Sequence, residues 1–124
     1  GKSYPLEAHL VHADKDGHLA VVAVFFAEGA PNRTVGAVWE RMPQSGAKND
    51  LAAPVSAAGL LPANRDYYRF NGSLTTPPCS EGVRWLVMKH AVTASRAQIE
   101  QFRKMLGFAN NRPVQPVYAR PVLR

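Results

Sequence analysis

The chain has 124 residues, 46% of them hydrophobic, which is enough to bury the core of one ordinary domain and excludes a disordered tail. Ten prolines and nine glycines suit strands and turns better than a helical bundle. The net charge is +6, but the basic residues form no run and no nucleic-acid-binding motif is visible, so the charge reads as a solvated basic surface. The longest apolar run, residues 19–27, is about half of the roughly 18 residues a membrane span needs.

In chain order, residues 4–13 read as a strand. Its alternation places Glu7, His9 and Val11 on one face, with Leu6, Ala8, Leu10 and His12 on the other. Asp14-Lys15-Asp16-Gly17 signals a turn, and residues 18–27 read as a second strand. That strand is apolar on both faces, which predicts a central position and a β-hairpin with the first. Residues 29–33 read as a loop. The spacing of Val35, Val38, Trp39 and Met42 predicts a short helix over 35–42.

Residues 47–58 are ambiguous, and residues 59–62 read as a loop packed by its leucines. Residues 66–71 read as an aromatic strand followed by an Asn71-Gly72 turn. Pro77 and Pro78 bar residues 74–80 from a central strand. Residues 82–90 read as a strand with Val83, Trp85 and Val87 on one face. Ser95 with Gln98 three residues on is a capping box, and Gly107 is a stop signal, so a clear helix is predicted over about 95–106. The tail, 108–124, reads as loop plus a short edge strand.

Two segments carry chemistry. A strand puts Glu7 beside His9, and a carboxylate that accepts a ring N–H fixes the tautomer of a metal-binding histidine. His12, on the apolar side, reads as structural, and His18 and His90 as surface or packing residues. In Thr75-Thr76-Pro77-Pro78 the prolines stiffen a loop that presents two hydroxyls. The lone Cys79 rules out a thiolate zinc site and an internal disulfide; it is a plain thiol or half of a bridge to another segment.

Three stretches resemble the α-class carbonic anhydrases: Glu7 to His12, Gly72 to Trp85, and Asn110 to Pro116. They occur in that family's order, span nearly the whole chain, and are similar to its bacterial branch. The resemblance implies a mainly β fold, the C-terminal part of a large, mostly antiparallel sheet, with residues 1–124 as the C-terminal portion of one domain. It also implies zinc-dependent, reversible hydration of CO2 to bicarbonate and a proton. His9 is then a zinc ligand, Glu7 its carboxylate partner, and Thr75 a gatekeeper that orients the attacking oxygen. Thr76 lines the polar side, while Val11, Val21, Leu74, Val83 and Trp85 wall the CO2 pocket. The Pro77-Pro78 bond is expected to be cis, and Cys79 to form a disulfide with a residue outside this chain.

The family's His-x-His ligand pair has no counterpart here. One histidine cannot hold Zn²⁺ tightly, so the chain alone is expected to be inactive. It is expected to form homo-oligomers or to pair with the rest of the domain, in a periplasmic or secreted protein, with no nucleic-acid or membrane partner. Two other functions fit less well: a non-catalytic binding module on the same scaffold, and a basic nucleic-acid binder, which lacks a stacking platform.

Overall fold

A computed structural model describes residues 1–44 and 46–124. β1 (Leu6–Ala13) and β2 (Leu19–Glu28) form an antiparallel hairpin in register from Leu6↔Phe26 to Ala13↔Leu19. The turn between them is closed by Asp14, whose Oδ1 accepts from the backbone of Asp16 and His18, both at 2.9 Å. Across the sheet, β3 (Tyr67–Ser73) pairs antiparallel with β4 (Glu81–Met88). β2 joins the halves: it runs parallel to β4 through Val21↔Trp85, and parallel to β5 (Val92–Ala94) through Phe26↔Val92. The order is β1-β2-β4-β3, with β5 on β2. The expectation of a central second strand holds, and its cause is the double-faced apolar run: Val21, Ala23, Val24 and Phe26 are all buried.

Each face of the sheet has its own core. On one, Val24, Phe26 and Met88 pack with Ala94, Val35 and Ile99, the last two from α1 (Arg33–Trp39) and α2 (Arg96–Leu106). On the other, Val21, Ala23, Val83 and Trp85 pack with Phe70 and Leu74. α2 begins at the capping box, with Ser95 Oγ accepting from Gln98 N and Gln98 Oε1 accepting from Ser95 N. It ends at Gly107, whose φ of 72° is left-handed, a conformation glycine adopts without a Cβ penalty. α1 starts earlier than its apolar spacing predicts, because Asn32 Oδ1 caps Val35 N at 3.0 Å.

Three expectations need correction. Asn71-Gly72 is no turn: both residues lie inside β3, with a register shift at Gly72/Ser73. A Cβ on Gly72 would stand 3.2 Å from Trp85 Cδ1 and 3.3 Å from Phe70 Cε2, so this glycine serves close aromatic packing. His12 is exposed rather than packed among apolar neighbours. The tail contributes a single bridge, Arg69↔Leu123, where a short strand was expected. A 3-10 turn spans Ala57–Leu60, across the end of the ambiguous stretch and the first two residues of the segment expected to be a loop.

Candidate functional site

β1 sets His9. Its antiparallel register places Glu7, His9 and Val11 on the face of the sheet shared with Val21, Ala23 and Trp85. His9 Nε2 lies 3.1 Å from Glu7 Oε1. The imidazole also meets the Trp85 indole edge-on, with ring centroids 4.9 Å apart, and Trp85 in turn stacks on Phe70 at 6.3 Å. One nitrogen engaged by a carboxylate and an aromatic wall against the ring together restrict the histidine's rotation. Among the described residues Nδ1 has no hydrogen-bond partner, which leaves it able to act as an acceptor or ligand.

The second half of the site is the loop after β3. It closes on itself through Leu74 N to Ser80 O at 2.9 Å, and through Cys79 N to Thr76 O at 2.8 Å around a cis Pro77-Pro78 bond, as expected. From the inner side, Trp85 Nε1 donates to Ser73 O at 3.0 Å. From the tail, Arg112 donates to Ser73 Oγ at 2.8 Å and to Leu74 O at 3.3 Å. Arg120 donates to Asn71 O at 3.1 Å. These contacts all hold the β3 side of the loop, residues 71–74. Among the described residues, neither the Thr75 hydroxyl nor its N–H has a hydrogen-bond partner.

Glu7, His9, Thr75 and Thr76 line one groove of about 890 Å³, with Ile99, Phe102 and Leu106 of α2 and Asn110 to Arg112 of the tail on its other sides. Residues 66 positions apart in sequence, His9 and Thr75, therefore line one cavity. The apolar wall residues are distributed unevenly. Val21, Val83 and Trp85 are buried in one cluster, with Leu74 packed against it. Val11 is 58% exposed, although its register partner is Val21. Cys79 is a half-buried free thiol with φ 58°.

Sequence reading missed Arg112 and Arg120 as loop anchors. Their only signal is position beside the prolines of the tail, and it does not say what they touch. Among the described residues, the set that could hold a metal with three side chains is Asp14, Asp16 and His18, and it is fully exposed at the hairpin turn. Its members already serve one another. Asp14 Oδ2 meets His18 Nδ1 at 2.9 Å, and that hydrogen bond is the main cause holding the Asp14 carboxyl below its ordinary range.

The architecture corresponds to one class of protein. The profile of the eukaryotic-type carbonic anhydrases matches residues 1–124. The chain is 49% identical to a carbonic anhydrase of Pectobacterium carotovorum over 99% of its own length and 51% of the relative's. It is 46% identical to one from Neisseria gonorrhoeae, over 99% and 49%. The solved α-carbonic anhydrase from Thermovibrio ammonificans, in complex with the inhibitor sulfanilamide, superimposes with a TM-score of 0.98 at 57% identity. That match covers all of this chain and 55% of that one. The chain belongs to the α-carbonic anhydrase family, and it spans about half the length of the curated relatives it matches.

Proposed function

We propose that the protein carrying this chain hydrates CO2 reversibly to bicarbonate and a proton, with zinc as its cofactor. In this reading residues 1–124 are the C-terminal portion of its single catalytic domain. The observation that carries it is the pairing of His9 and its Glu7 partner with an unengaged Thr75 in one groove. The same intact set favours an enzyme over a binding module built on this scaffold.

The residues fit a zinc site as one part of it. His9 offers Nδ1 while Glu7 occupies Nε2. Among the described residues His9 belongs to no group of three metal-ligating side chains, so in this reading the remaining ligands come from elsewhere in the protein. When bound, Zn²⁺ lowers the pKa of a water molecule to about 7, which supplies hydroxide at neutral pH. This chain's residues do the rest. Thr75 Oγ accepts a hydrogen bond from the attacking oxygen and so aims its lone pair. The Thr75 N–H donates to an oxygen of the product, where negative charge develops. Trp85, over Val21 and Val83, gives an apolar surface that CO2 can displace water from. Thr76, exposed at the rim, keeps the opposite side polar. In this reading Cys79 pairs with a cysteine outside the chain, and the protein is periplasmic or secreted.

Stopped-flow CO2 hydration tests the proposal. The complete protein is expected to turn over, and His9→Ala to abolish turnover. Residues 1–124 alone, supplied with zinc, are expected to show none above the uncatalysed rate. An inactive complete protein, or an active isolated chain, overturns it.

A further inference from the structure

The peptide unit between Leu74 and Thr75 is loaded unevenly. Its carbonyl accepts from two donors, Ser73 Oγ at 3.1 Å and Arg112 Nη1 at 3.3 Å. Its N–H, which belongs to Thr75, has no partner among the described residues. Folded chains pair most such groups, so a donor left idle on a half-buried residue is available to a ligand. Thr75 lines the same groove as His9, which places that donor on a residue of the candidate site.

Both contacts to the carbonyl trace to one guanidinium. Arg112 Nη1 donates to Ser73 Oγ at 2.8 Å, and that hydroxyl donates onward to Leu74 O. A hydroxyl that accepts from a cation becomes a better donor, so the relay and the direct contact pull on the carbonyl together. Among the described residues Arg112 is in no ion pair, so no carboxylate competes for its charge. The tail sets its place. Pro113 restricts the backbone of Arg112 to extended conformations, and Gln115 Nε2 donates to Pro113 O at 2.8 Å. The Leu74–Thr75 bond is trans, so its C=O and N–H point in opposite directions. Holding the carbonyl therefore fixes where the N–H aims. Electron density drawn onto that oxygen also leaves the amide hydrogen more positive, because the peptide is conjugated.

We propose that Arg112 is a positioning residue for CO2 hydration, acting through the Leu74–Thr75 peptide. It aims the Thr75 N–H and strengthens it as a donor to the oxygen where negative charge develops. The inference rests on the reading of the groove given above and adds to it a residue whose action is indirect. Arg120 provides the contrast: it donates to Asn71 O at 3.1 Å and makes no hydrogen bond to this peptide.

The test is heteronuclear NMR of the complete protein, with stopped-flow CO2 hydration on the same samples. A hydrogen bond to a carbonyl deshields the amide nitrogen that follows it. In Arg112→Ala the Thr75 nitrogen resonance is expected to move upfield. In Ser73→Ala, which removes only the relay, it is expected to move the same way by less, and in Arg120→Ala to stay. Turnover of Arg112→Ala is expected to fall about tenfold at unchanged zinc content, part of the roughly 100- to 1,000-fold that deleting such a donor outright costs. A Thr75 resonance that stays put in Arg112→Ala and Ser73→Ala overturns the proposal, as does full turnover in Arg112→Ala. If Arg112→Ala does not fold, Ser73→Ala decides alone, and an unmoved resonance there overturns it. An Arg120→Ala shift as large as that of Arg112→Ala overturns it in favour of plain loop anchoring. The resonance is read without substrate. A complete protein that shows these shifts yet hydrates no CO2 therefore overturns the reading of the groove and leaves the hold of Arg112 on the peptide standing.

Discussion

At the scale of single residues, the Glu7–His9 contact is the most informative. Two residues apart on a strand, both side chains must emerge on the same face, so a 3.1 Å approach needs no special backbone. In the proposed zinc site its consequence is specific. Glu7→Gln keeps the shape but gives up the charge that makes the imidazole a better donor to the metal. In the complete protein the substitution is expected to weaken zinc affinity by roughly 10- to 100-fold, as read by chelator competition, with secondary structure unchanged. Unchanged affinity would show that Glu7 is a bystander. The turn residue Asp14 offers a contrast. Its carboxyl is also held by a histidine, His18, but the pair is exposed and its role ends with the hairpin turn. Similar partners do different work because one pair faces a groove beside an indole and the other faces solvent.

At the scale of elements, Gln98 is the hinge of the helical face. Its Oε1 accepts from Asn32 N at 2.9 Å and from Ser95 N at 3.0 Å, and its Nε2 donates to Asn32 O at 2.8 Å. One side chain thus serves the N-cap residues of both helices, and Trp39 stacking on Phe102 at 5.1 Å extends the same contact. Gln98→Ala leaves two backbone N–H groups without partners in a half-buried place. It is expected to lower unfolding stability by about 1–3 kcal/mol in urea titrations, with an unchanged m-value. A loss below about 0.5 kcal/mol would mean that water replaces the amide at no cost.

The capping box itself was legible from Ser95 and Gln98, because it is a local device. The link to Asn32 was not, because nothing in residues 95–98 names a partner so far back in the chain. The hairpin was readable for the same local reason. The parallel seams of β2 with β4 and β5 were not, since strand pairing at long range leaves only a continuous apolar run. Asn71-Gly72 misled because that dipeptide serves a turn in one context and an aromatic bulge in another. In the site, His9, Glu7 and the threonine loop were visible through a family likeness. Arg112 was invisible because a guanidinium that grips a loop looks in sequence like any surface charge.

For the whole molecule, the open side matters most. β1 ends the sheet and carries Val11 at 58% exposure. An uncovered strand edge next to apolar surface invites pairing with another strand. Residues 1–124 alone are expected to self-associate at micromolar concentration in sedimentation velocity. Val11→Lys, which puts a charge on that strand, is expected to shift the population toward monomer. A monodisperse monomer of the unaltered chain would remove the case for a pairing surface here.

β2 borders three strands, and only one of them is its neighbour in sequence. As the polypeptide leaves the ribosome, the hairpin can close at once. The opposite flank of β2 must wait until Trp85 and then Val92 have emerged, with all of residues 29–80 in between. During that interval the most water-averse segment of the protein has one side covered and one side bare. The birth of this fold therefore has a built-in vulnerable period. Its length is governed by translation speed, and holdase chaperones are the cellular factors that would shelter it.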